Sequence, residues 1–193
     1  MTISTLDAKS ALLVVDLQKG IVGLPTAHPM ADVVRHAARL ADAFRSHDLP
    51  VVLINVDGGA PGRAEQSRRI TEFPPHWTDL IPELNRRPGD HVVTKRTWGA
   101  FTNTDLETHL RQSGVTQVVI AGVATSAGVE STARTAYELG YNVVLATDAM
   151  TDRDPVAHDH SVRSTFPKLG ETATTAEILS MLEKTYSQGA PRA

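Results

Sequence analysis

Cysteine is absent from all 193 residues. That absence excludes disulfides, thiolate metal ligands and thiol nucleophiles together, whatever the fold. An excess of positive charge is also missing. Nineteen Lys and Arg against 22 Asp and Glu leave a formal net charge of −3, without the basic face expected of a nucleic-acid binder. The Arg86-Arg87 and Lys95-Arg96 pairs are too short to supply one. No run approaches the roughly 20 apolar residues that span a bilayer. The opening MTISTLDAKS lacks a charged segment followed by an apolar one, so no signal peptide is expected. These absences predict a cytoplasmic protein with neither a membrane nor a nucleic acid as partner.

What remains is ordinary globular composition, 41% hydrophobic and 21% charged. It is expected to form one domain over residues 1–193, with its core at about 11–183 and a loose tail from Gln188. Ala11–Val15 and Val51–Ile54 are short apolar runs without polar alternation, as in strands buried on both faces of a parallel sheet. Between them, Val33, Val34, Ala37, Leu40, Ala41 and Phe44 recur with helical spacing. Strand, helix and strand make a right-handed crossover unit. Residues 56–90 are rich in Gly, Pro and charge and suit either a lid over a binding site or a solvated excursion.

Regularity returns with His91–Thr94, then a helix over 104–113 opened by the capping box Thr104–Glu107 and stopped by Gly114. Val118–Ile120 and Val143–Ala146 read as further strands, flanking a helix from about Gly128 to Leu139. Asp154 caps a helix with Pro155 in its first turn, and the box Thr174–Glu177 opens a C-terminal one. The pattern predicts a three-layer αβα fold around an open, doubly wound, mostly parallel six-stranded sheet.

In such sheets, ligands bind beyond the carboxyl ends of the strands. Asp16 and Lys95 each end an apolar run and so reach the same rim. A desolvated carboxylate beside an amine suits proton transfer. The same spacing also fits a loop-capping Asp and a surface Lys. The turn Gly122–Gly128 leads from a strand into a helix, where backbone N–H groups can receive developing negative charge. Alternatively, it is a plain turn with Thr125 or Ser126 as N-cap. The eight histidines show no metal-ligand spacing, and His158 and His160 are expected on different helix faces.

Three stretches in order carry a resemblance: Val15-Asp16-Leu17-Gln18, Thr94-Lys95-Arg96-Thr97-Trp98-Gly99-Ala100-Phe101 and Ile120 through Arg134. The sequence resembles the isochorismatase-like hydrolase superfamily, which includes nicotinamidases, carbamoylsarcosine amidases and isochorismatases, over about Ala11 to Leu182. Asp16 and Lys95 match two members of the amidase triad. Gly128 falls where the resemblance implies a cysteine nucleophile. The resemblance also implies a cis peptide between Val123 and Ala124, an oxyanion hole from the N–H groups of Ala124 and Gly128, and a homo-oligomer, dimer or tetramer. Gln18, Trp98, Phe101, Thr125 and Arg63 are the expected substrate contacts. Asn55-Val-Asp57-Gly-Gly has no histidine nearby, so no metal or other cofactor is expected.

Without a thiol no thioester can form. The resemblance implies a hydrolase using Asp16 and Lys95 in acid–base catalysis on a small carboxylated or enol-ether-like substrate. Two alternatives stand beside it: a member that has lost catalysis and binds a small molecule or an assembly, and a Cys-to-Gly variant of an amidase.

Overall fold

The computed structural model describes residues 3–65 and 73–187. Strands β1 (Ser10–Val15), β2 (Val51–Val56), β3 (His91–Lys95), β4 (Gln117–Val123), β5 (Asn142–Thr151) and β6 (Glu171–Ala173) form one parallel sheet in the order β3-β2-β1-β4-β5-β6. The chain winds outward first through β2 and β3, then on the other side of β1 through β4, β5 and β6. The reversal therefore lies between β1 and β4, and in sheets of this kind ligands bind beyond the carboxyl ends at that point.

Every residue of β1 and β4 is buried, which explains their lack of polar alternation. Alternate residues feed two cores. Leu12, Val14 and Leu53 pack under α2 (Met30–Ser46) and α7 (Thr175–Ser187). Leu13, Val15, Ile54 and Val93 pack with Leu106 and Leu110 of α3 (Leu106–Gln112), Ala133 and Ala136 of α4 (Glu130–Glu138) and Phe166 of α6 (Phe166–Leu169). In α2 the buried residues are Val33, Ala37, Leu40, Ala41 and Phe44, the stripe that its spacing predicts. The helix stops where Asp48 adopts a φ of 55°, and the N–H of Leu49 returns to Phe44 O at 3.0 Å.

Other elements depart from expectation for identifiable reasons. The Thr104–Glu107 box does not close. Thr104 Oγ1 donates to Ala100 O at 2.6 Å and Glu107 faces Arg111, so α3 begins two residues late. The Thr174 box does close, with Glu177 Oε2 accepting from Thr174 N at 2.8 Å and Glu177 N donating back to Thr174 Oγ1 at 3.3 Å. β5 runs five residues beyond its apolar stretch, because a register shift between Ile120 and Gly122 lets the polar segment keep pairing with β4. β6, three residues long, has no apolar run to announce it.

Within the 56–90 excursion, the ring of Trp77 lies over Gly20 of the short helix α1 (Lys19–Val22), where a Cβ would come within 2.2 Å of it. Ile81 and Leu84 are buried in the α2-side core. The excursion returns to β3 at Asp90, whose carboxylate receives Arg45 Nε at 3.0 Å and Nη2 at 2.8 Å. Residues 66–72, including Arg68 and Arg69, lie outside the described residues, as does the tail from 188.

Candidate active site

β1 and β3 are separated by β2, so their axes stand about 9–10 Å apart. A lysine and an aspartate reaching toward each other span that distance. Lys95, the last residue of β3, projects to the same side as buried Val93. Asp16 follows β1 with a φ of 53°, a conformation that short polar side chains tolerate better than others. Lys95 Nζ donates to Asp16 Oδ2 at 2.8 Å and to Thr97 O at 3.2 Å. The side chains are 2% and 8% exposed. Asp16 Oδ1 has no hydrogen-bond partner among the described residues. Burial pushes the Asp16 carboxyl up to about 6, against the opposing pull of the Lys95 charge and hydrogen bond. Desolvation outweighs the ion pair, so the group can exchange a proton near neutrality.

Gly128 completes this corner. An added Cβ there would stand 3.1 Å from Val15 Cγ1, 3.2 Å from Val123 O and 3.3 Å from Asp16 Oδ2. Residue 128 therefore packs directly against the Asp16 carboxylate, and any side chain there would press on it. Gly122 is required for a different reason. Its φ is +114°, and a Cβ would lie 2.0 Å from Val15 O, so only glycine lets the two central strand ends approach this closely. The Val123–Ala124 peptide is cis. Ala124 O then accepts from Ala127 N and Val129 N, both at 3.1 Å, closing a π-helical turn over Thr125–Val129 that leads into α4. Thr132 Oγ1 donates to Gly128 O at 2.6 Å.

Neither Thr125 nor Ser126 acts as a side-chain N-cap. Thr125 is buried, with Oγ1 2.8 Å from Nδ1 of His158. Ser126 donates through both N and Oγ to Asp152 Oδ2, at 2.7 and 2.8 Å. His158 is 7% exposed in α5 (Pro155–His160), and its ring meets that of His28 at 4.5 Å between centroids. Burial first, and the neighbouring His28 second, hold the His158 imidazole below its ordinary value. No spacing in the sequence pairs Thr125 with His158 or Ser126 with Asp152, because the apolar run Val143–Ala146 ends well before the observed end of β5.

The other expected contacts separate. Trp98 stands on the rim after β3, 67% exposed. Arg63 is exposed in the segment after β2. Gln18 is turned away from the cleft. It is fully buried, its Nε2 donates to Val56 O and Trp77 O, and its Oε1 accepts from Val56 N at 2.7 Å. It ties the 56–90 excursion to β1, with its amide fully engaged. Phe101 is also not at the rim. It stacks on Tyr141, the residue before β5, at 6.2 Å, within the α3-side core.

Among the described residues, no three His, Asp or Glu side chains converge as a metal site requires, and no helix is long and apolar enough to cross a membrane. The isochorismatase domain model matches residues 10–177. The Bacillus subtilis (strain 168) isochorismatase family protein YwoC is 40% identical over 182 residues, 91% of this chain and 95% of that protein. The ureidoacrylate amidohydrolase RutB of Variovorax paradoxus (strain S110) is 30% identical over 170 residues, 72% of this chain and 68% of that one. An isochorismatase family structure from Burkholderia thailandensis superposes with a TM-score of 0.91 at 41% identity, covering 94% of this chain and 100% of the other. With the domain matched across its sheet and both cores, the chain belongs to the isochorismatase family.

Proposed function

We propose that the protein is a hydrolase acting on a small carboxylated or enol-ether-like substrate, with Asp16 as the proton carrier. The observation that carries this reading is the buried Asp16–Lys95 pair, whose carboxylate packs directly against Gly128. A group titrating near 6 is close enough to neutrality to both give and take a proton. Residue 128, where amidase relatives of this kind would present a thiol, has no nucleophile to offer. For a vinyl ether, Asp16 would deliver its proton to the terminal alkene carbon. Water would add to the resulting oxocarbenium carbon and return a proton to the Asp16 carboxylate, and the neutral hemiketal would collapse to a ketone and an alcohol as its hydroxyl proton passes to the leaving oxygen. Lys95 holds the carboxyl in place and replaces the water that burial removes. The backbone N–H groups of Ala124 and Gly128 are the donors assigned to an oxyanion, a role they would fill where the substrate presents a carbonyl. Trp98 and Arg63 are the exposed side chains assigned to substrate, and the family resemblance supports an assembly of identical subunits.

A second reading, direct attack of water on an amide carbonyl with Asp16 as base, is favoured by the resemblance to RutB. A steady-state screen of vinyl ethers, amides and esters separates the two. With whichever class turns over, Asp16→Asn is expected to lower kcat by about 100-fold or more while leaving binding largely intact. Equal turnover by the wild type and this variant would end the assignment. A chain that binds compounds from the screen without turning any over is a binding protein instead.

A further inference from the structure

The turn that bears Gly128 is gripped from outside itself. π-helical turns are uncommon and persist where tertiary contacts hold them. Here the contacts come from the far end of β5 and from α5: Asp152 takes the N–H and hydroxyl of Ser126, and His158 takes the hydroxyl of Thr125. Asp152 is itself fixed, accepting from Arg153 N at 2.7 Å through Oδ1. Its carbonyl receives Ala27 N at 2.8 Å, and the adjacent Thr151 hydroxyl lies 3.1 Å from both N and Nδ1 of His28. One hydrogen-bonded cluster therefore joins the segments around 28, 125, 152 and 158, with buried Thr125 at its inner end.

We propose that His158 is a positioning residue, acting through the Thr125 hydroxyl to hold the turn carrying the Ala124 and Gly128 N–H groups in the geometry that chemistry at Asp16 requires. The proposal rests on the preceding reading only in taking that turn as the substrate-facing one. Its physical basis is the capacity of the imidazole. With the ring neutral and the proton on Nε2, Nδ1 accepts from the Thr125 hydroxyl. Protonation turns Nδ1 into a donor and forces that hydroxyl to redirect its own proton within a buried setting. The charged and titratable groups around the ring are His28 from the segment before α2, Asp152 just after β5 and Asp159 from α5 itself. Glu130 of α4 engages Ser161 at the following turn. The 124–129 turn contributes no titratable side chain.

Amide hydrogen exchange of the 123–130 segment tests this without a substrate, read by mass spectrometry between pH 5 and 8 and corrected for intrinsic base catalysis. His158→Ala and Thr125→Val are each expected to accelerate exchange there about five-fold, the worth of one net hydrogen bond. The double variant should do no more than either alone. The wild type should lose protection as pH falls and His158 gains its proton; His158→Asn places an amide where Nδ1 stood, so it should restore protection and abolish that acid inflection. Unchanged exchange in both single variants, additive effects in the double, or failure of Asn to rescue overturns the proposal. If His158→Ala does not fold, Thr125→Val against Thr125→Ser decides, since serine keeps the hydroxyl. A failed Asp16→Asn test would sink the hydrolase reading without altering these exchange rates.

Discussion

Replacing Lys95 with Met tests the electrostatics of the site most directly. The substitution keeps an unbranched chain of similar volume and removes the amine that, among the described residues, is the hydrogen-bond partner of Asp16 Oδ2. Burial alone then acts on the carboxyl, and losing an adjacent opposite charge raises a carboxyl pKa by about one to three units. In the wild type, the distance between the ordinary 3.8 and about 6, at 1.36 kcal/mol per unit, corresponds to on the order of 3 kcal/mol of pH-dependent stability. The sign follows from proton uptake. Between these pH values, folded Asp16 retains a proton that the unfolded chain has released, so this contribution is complete below about 3.8 and is lost as pH rises through about 6. In Lys95→Met the loss should continue past neutrality. Urea unfolding from pH 4 to 9 reads this shift, with the Asp16→Asn/Lys95→Met double variant as the control that lacks it. Carbon-13 NMR of the Asp16 carboxyl gives an independent titration. A wild-type midpoint at or below 3.8 would refute the claim that desolvation dominates, and a Lys95→Met midpoint no higher than the wild-type one would refute the opposing pull of the amine.

Two further substitutions probe the frame around the site. Gly122→Ala should cost more than about 4 kcal/mol, because its Cβ would meet Val15 O at 2.0 Å; a folded variant with near-wild-type thermal stability would show that the β1 and β4 ends can separate. Asp154→Ala removes the acceptor for Val156 N at 2.8 Å that caps α5. It should lower stability by about 1 kcal/mol, visible as a reduced urea midpoint, and no change would mean that Pro155 alone sets the helix start.

The two inner strands, α2 and the last helix were legible because burial on both faces or on one stripe leaves a pattern that neighbours in sequence share. Asp16 and Lys95 were legible for a related reason, since a polar residue closing an apolar run is carried to the rim by the strand itself. Asp152 and His158 were not. Thr147 and Asp148 interrupt the apolar run and disguise the last half of β5, which is held by the pairing of Met150 and Thr151 with β4. His158 enters the site only because α5 folds back over the 125–129 turn, and no spacing within the chain encodes that. Gln18 and Phe101 were misplaced in the opposite sense. Both lie near strand ends in sequence, yet one is consumed by the backbone of the 56–90 excursion and the other by the ring of Tyr141.

The fork of Arg45 on Asp90 has a bearing on chemistry at the opposite end of the sheet. β3 is an outermost strand, hydrogen-bonded on one side only, and Lys95 sits at its tip. A slip of a single residue against β2 would carry the amine to the other face and strand the carboxylate without its partner. Both members of the fork are almost inaccessible to solvent, 6% and 3%, and Arg45 also reaches Leu84 O at 3.0 Å. The ladder is thus pinned at the point where it starts, and the alignment on which proton transfer depends is set some five residues upstream of the reacting group.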